Sequence, residues 1–101
     1  MSDTLPDATF TLPLSKTINF DGREYTHITL QEPSVKTVLR ADEHLRNGMM
    51  AHALRNREIY LVALTAAVPV PVVEAMRISD LNRALAYILP FLELGQKTGA
   101  S

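Results

Sequence analysis

The spacing of apolar positions changes period along the chain. From Phe10 to Leu30 it alternates: Phe10, Leu12 and Leu14 are set between other residues, and Ile18 and Phe20 keep the same parity. Period-two spacing places every second side chain on one face of a strand. Asp21-Gly22 supplies the positive φ angles of a tight turn, and Arg23 to Leu30 returns. A two-residue turn there pairs Phe20 with Arg23 and Ile18 with Tyr25. Ile28 and Leu30 have the opposite parity to Tyr25, so either a bulge sits near Thr26-His27 or both faces of the returning strand are partly covered. Pro13 lacks an N–H, which makes the first strand an edge or bends it. A lone hairpin is marginal in water, so this one has to pack on the helices or pair with another chain.

After Pro33 the period lengthens. Ser34 is a good N-cap for a helix through Arg46 with an apolar stripe of Val35, Val38, Leu39 and Leu45. Asp42 and Arg46 lie near that stripe, four residues apart, and can pair. Asn47-Gly48 suits its end, because glycine tolerates the left-handed position there. The stretch from Met49 to Leu92 organises the rest. Met49, Met50, Ala53, Leu54, Tyr60, Leu61, Leu64, Ala67 and Val68 fall on one broad helical face, while Ile59, Val62, Ala63 and Ala66 cover much of the other. A helix apolar nearly all round is normally buried by several neighbours. Pro71 suits the start of a short helix through Met76. Ser79 caps the last helix, where Ile78, Leu81, Leu85, Ile88, Leu89 and Leu92 share a face and Tyr87, Phe91 and Leu94 form a second stripe. Pro90 is expected to kink or end it.

The expected fold is α+β, an N-terminal β-hairpin packed on a small bundle of three to four α-helices. One domain spans 10–94, with the hairpin at 10–30 and helices at about 34–46, 50–68, 71–76 and 79–92. Residues 1–9 and 95–101 are read as flexible tails.

Composition narrows the function. The chain has 101 residues, 47% of them hydrophobic and 21% charged, which suits a single modest core. A net charge of −1 offers no basic footprint for nucleic acid. The absence of cysteine excludes disulfides, thiolate nucleophiles and cysteine zinc sites. The acidic N-terminus lacks the regions of a signal peptide. The longest apolar run, Ile59 to Val73, is too short to span a bilayer and is broken by Pro69 and Pro71. These features lead to the expectation of a soluble intracellular protein with no membrane partner.

Little in the chain is reactive. His27, His44 and His52 show no metal-ligand spacing, no nucleophile elbow occurs, and the glycines form no phosphate loop. Asp42, Glu43, Glu58 and Glu74 have Lys and Arg neighbours and read as solvated helix faces. Neither catalysis nor a cofactor is expected. Two features point instead to a binding surface. Arg57 interrupts the apolar face of its helix: it either lies in a first turn starting near Asn56 with its stem along the surface, or is a paired charge at an interface with a partner chain. The Tyr87, Phe91 and Leu94 stripe either caps the core from a segment broken at Pro90 or stays exposed as a docking patch. Arg57, Tyr87, Phe91 and Leu94 are therefore the candidate partner-binding residues.

The order of motifs resembles the small tail assembly chaperones of Mu-type and related contractile-tailed phages. Leu30-Gln-Glu-Pro-Ser-Val matches that family's Leu-x-x-Pro-(Ser/Thr)-Val lead-in, and Glu58-Ile-Tyr-Leu-Val-Ala-Leu-Thr its central helix. Val70-Pro-Val-Val-Glu-Ala-Met, the Asp80-Leu81 helix start and Phe91-Leu92 follow, so the resemblance covers roughly residues 25–94. Where the pattern has a glycine after Thr65 this chain has Ala66-Ala67-Val68, and the central helix is expected to run on to Pro69. The resemblance implies a chaperone that acts in the host cytoplasm and is absent from the mature virion. Its partner would be the long apolar tape measure protein, kept soluble, with tail tube protein recruited around it. In related gene sets the chaperone often exists also as a longer, frameshifted product. Weak contacts repeated along one partner would gain avidity. Separate copies, with self-association left open, are expected to use the last helix or the hairpin edge. Two other classes stay in view: a structural tail or scaffold component retained in the particle, its hairpin joining a neighbour's sheet, and a small DNA-binding regulator. The second would draw Val70 to Leu89 as helix-turn-helix, but Arg83 is the only base on its recognition helix.

Overall fold

A computed structural model of the chain describes residues 8–45 and 51–100. An antiparallel hairpin, β1 (Thr9–Phe20) and β2 (Arg23–Gln31), is followed by α1 (Val35–Asp42), a 3-10 turn (Glu43–Leu45), α2 (Ala51–Ala66), α3 (Val70–Glu74) and α4 (Ile78–Ala100). The α+β architecture matches the expectation.

Asp21 and Gly22 both carry positive φ, 52° and 78°, as a two-residue hairpin turn requires. The register is as counted from that turn, with Phe20 opposite Arg23 and Ile18 opposite Tyr25. It then shifts between Pro13, paired with His27, and Ile18. The extra residues therefore belong to β1, where Leu14 to Thr17 face Thr26 alone. The irregularity accounts for the change of parity: Leu12, Ile28 and Leu30 are buried on one side of it and Ile18 on the other. Thr9 already lies in β1, and the Ala8 carbonyl accepts from the Glu32 N–H at 3.1 Å, so order begins before the expected tail boundary.

Helix α2 sits at the centre and touches α1, α3, α4 and β2. It buries Leu61, Val62, Ala63 and Thr65, so this turn is covered over more than half of its circumference. Tyr60, expected on the buried face, is exposed. Thr65 loses little by burial because its hydroxyl donates to the Leu61 carbonyl at 2.6 Å.

The helix ends at Ala66, not at Val68. Ala67 takes a positive φ of 57°, and the Val68 N–H donates to the Ala63 carbonyl at 3.1 Å. That bond and the left-handed residue before it form a Schellman stop. The backbone makes the turn that a glycine would favour, although the residue is alanine. Asn47-Gly48 lies outside the described residues.

Helix α4 also departs from expectation. It starts at Ile78, ahead of Ser79, so the residue in the first turn that matters is Asp80. It continues through Pro90 to Ala100, which removes the expected break and replaces the tail at 95–100 with helix. Pro90 cannot donate to the Ala86 carbonyl, but Ala86 is exposed and water can take that role. Leu81, Leu85 and Ile88 of the first stripe and Tyr87 of the second are buried on one face, joined by the fully buried Ala84, whereas Ile78, expected on that face, is exposed. The core is built from Leu12, Ile28 and Leu30 of the hairpin, Ala41, Leu61 to Ala63, Val73, and Leu81, Ala84, Leu85, Tyr87 and Ile88 of α4. Among the described residues no helix is long and apolar enough to cross a membrane.

Candidate partner-binding groove

Helix α1 is held by few side chains. Ser34 caps it, its hydroxyl accepting from the Thr37 N–H at 3.1 Å. Ala41 is fully buried and Val38 partly so. Val35 and Leu39, expected in the buried stripe, are 77% and 62% exposed. On a helical wheel the stripe is wider than the contact: Val38 and Ala41 face α2, and Val35 and Leu39 lie to one side with Asp42 between them and Val38. An alanine at the point of contact lets the helices approach closely, leaving the larger side chains outside it.

Those two side chains border a groove of about 460 Å³ lined by Glu32 to Val35, Val38, Leu39, Asp42, Arg57, Phe91 and Leu92. Three elements form it: α1 on one side, the C-terminal half of α4 on the other, and Arg57 of α2 where they meet. Arg57 Nε donates to Asp42 Oδ1 at 2.5 Å. Its side chain is 23% exposed and that of Asp42 41%. Asp42 makes this cross-helix pair, and Arg46, its expected partner, lies outside the described residues. The first-turn view of Arg57 does not hold, because the described helix already runs from Ala51; its charge is paired with Asp42 within the chain.

The four candidate residues separate. Arg57 and Phe91 come together in the groove. Tyr87 is 8% exposed and belongs to the core, stacked on Phe10 with ring centroids 5.3 Å apart and edge-on to Phe91 at 5.4 Å. It supports Phe91 from beneath and is not part of a free patch. The Leu94 side chain lies outside what is described. Val35, Leu39 and Leu92 are groove residues that the periodicity assigned to the core. The signal was Asp42, a carboxylate set among the apolar positions of a short helix, which marks the point where burial stops.

A second groove, also about 460 Å³, runs between β2 (Arg23 to Thr29) and the end of α2 (Ala66 to Pro69). It is lined mainly by polar side chains, with the Arg23 guanidinium 5.3 Å from the Tyr25 ring centre. The densest polar cluster is structural. Asp80, 1% exposed, accepts from the Ser15 N–H at 2.7 Å and the Ser15 hydroxyl at 2.8 Å, and from Arg83 one turn along. Residues 14–17 leave the strand ladder, and the buried carboxylate takes up the Ser15 N–H. Burial alone would raise the pKa of Asp80. The Ser15 N–H, the Arg83 guanidinium and the Ser15 hydroxyl outweigh it and hold the carboxyl below its ordinary 3.8. The Asp80-Leu81 helix start thus fastens the hairpin to α4.

His27 and His52 are exposed, and among the described residues no group of three or more His, Asp or Glu could hold a metal ion. The arrangement offers an apolar groove with a paired guanidinium at one end, suited to non-covalent capture of a side chain or helix.

Comparison with curated proteins and with solved structures gives no match. The model of one family, described as "Phage tail assembly chaperone proteins, E, or 41 or 14", matches residues 11–93, from the start of the hairpin to the end of the groove. The chain belongs to this family of phage tail assembly chaperones.

Proposed function

We propose that this chaperone binds the tape measure protein during tail assembly, keeps it soluble, helps tail tube protein assemble around it, and leaves before the particle is complete. Catalysis plays no part in this reading. A chaperone needs protein partners, and a partner kept from aggregating must be held by its apolar surface. The observation that carries the reading is the exposure of Val35 and Leu39, 77% and 62%, beside Phe91 and Leu92. Single exposed apolar side chains are ordinary, but Val35 and Leu39 on one ridge beside Phe91 and Leu92 make a contiguous apolar patch, which supports a role in contact.

The test is co-expression with the tape measure protein, followed by pull-down and mass spectrometry of purified particles. Retention of the chain in the particle would favour a structural tail component instead.

A further inference from the structure

We infer that the outer edge of β2 takes up an extended segment of a protein partner as a third strand. The inference goes beyond the tape measure reading, which concerns apolar surface on α1 and α4. The second groove gives the place. Every residue from Arg23 to Thr29 lines it, and of β1 only Phe20 beside the turn does so among the described residues. A groove on a face of the sheet would take alternate residues from both strands. This one therefore runs along the side of β2 that β1 does not occupy, with Ala66 to Pro69 as its far wall. Hydrogen bonding names the occupant. The Glu32 N–H donates to the Ala8 carbonyl, so Glu32 points at β1. Opposed residues of an antiparallel pair alternate between bonded and unbonded. Leu30 and Ile28, opposite Phe10 and Leu12, then also point inward, while Gln31, Thr29 and His27 turn their N–H and C=O outward. Pro13 opposite His27 fits this phase, because an unbonded position asks no N–H of it. Among the described residues no backbone group from outside the hairpin bonds to that edge. The edge of β1 is closed to pairing by Pro13 and by the Ser15 N–H held on Asp80, and His27 to Gln31 has neither device. Outward N–H and C=O groups at every second residue are matched in full by another extended backbone.

Side chains set the sequence that such a strand would have. Residues bonded opposite His27 and Thr29 share their exposed face and would be polar. Those between them lie on the side of the buried Ile28, toward Ala66 and Val68, and would be apolar. At the turn end Asp21 and Glu24 line the groove, and neither has an ion pair among the described residues. The one guanidinium there, that of Arg23, lies over the Tyr25 ring. An antiparallel strand with a basic residue at its C-terminal end complements those two carboxylates. A second copy fits less well, because it would bring its own Ala66 to Pro69 wall into the same space. Main-chain bonds carry strand addition, so it does not depend on a large apolar area.

The experiment uses the full chain and a synthetic peptide of about seven residues, alternating valine and threonine and ending in an amidated lysine, roughly 23 Å long when extended. Two forms of the peptide are titrated. In one the valines are N-methylated, which blocks the edge turned away from β2 and keeps the peptide from pairing with itself. In the other the threonines are N-methylated, which removes the donors aimed at β2. The first form should bind and slow hydrogen exchange at the His27, Thr29 and Gln31 amides, and the second should bind more weakly by about tenfold or more. Thr29→Pro removes one outward N–H without touching the β1 ladder, and should weaken the first form by a similar factor with the melting temperature nearly unchanged. Equal affinity for the two forms, or binding of neither at millimolar peptide, would overturn the inference and leave the tape measure reading untouched. That comparison decides even if Thr29→Pro does not fold. A dimer of the chain that Thr29→Pro converts to monomer in sedimentation would make a second copy the occupant and overturn the partner strand.

Discussion

Two residues carry stability out of proportion to their size. Asp80 is a buried carboxylate whose value lies in what it receives, the Ser15 N–H and hydroxyl and the Arg83 guanidinium. Asp80→Ala leaves the Ser15 N–H without its charged acceptor and is expected to cost about 2–3 kcal/mol in urea unfolding. Ser15→Ala keeps the N–H and should cost clearly less. Because the native carboxyl titrates below its ordinary 3.8, its contribution is complete above that pH and is lost as pH falls through the lowered native value. Unfolding followed from neutral pH into strong acid should show this loss in wild type, with the Asp80 contribution missing from Asp80→Asn. Ala67 is the other residue. A non-glycine left-handed residue costs roughly 1–2 kcal/mol, part of which glycine returns as unfolded-chain entropy. Ala67→Gly is expected to stabilise by about 0.5–1 kcal/mol, read as a rise in melting temperature. No stabilisation would show that the Schellman stop at Ala63 to Val68 is not under strain.

At the scale of elements, local chemistry was readable and edges were less so. Asp21-Gly22 named its turn and register because both positions need positive φ, and Ser34 named a helix start because its hydroxyl can only cap there. Tertiary partners decided the rest. Pro13 announces an edge or a bend in β1, but not how far Leu14 to Thr17 leave the ladder, where the Ser15 N–H is taken up by a carboxylate sixty-five residues away at Asp80. Pro90 looked like a stop, yet the helix continues past it, with Leu85, Tyr87 and Ile88 buried before it and Phe91 and Leu92 partly buried just after it. The groove was half legible. Arg57 and Phe91 stood out as an interrupted stripe and an extra aromatic, whereas Val35 and Leu39 carry the same period as core residues. Only the close approach at Ala41 separates them from the core. That contact can be tested: Ala41→Leu should overpack the α1–α2 junction and cost about 1–3 kcal/mol. Leu39→Asp should leave the melting temperature nearly unchanged. The Arg57–Asp42 pair is partly exposed, and a double-mutant cycle should give no more than about 1 kcal/mol.

Across the described residues the molecule is a hairpin and four helices assembled around α2, with a buried polar cluster that fastens the hairpin to α4 and an apolar groove left open on one side. That division suits a protein whose work is to hold another one. The most direct test is the fraction of tape measure protein that stays soluble when expressed alone, with the wild-type chain, and with Leu39→Asp. The expected result is aggregation alone, rescue by wild type, and failure of rescue by a folded Leu39→Asp variant. Tape measure protein that stays equally soluble in all three cultures would contradict the reading.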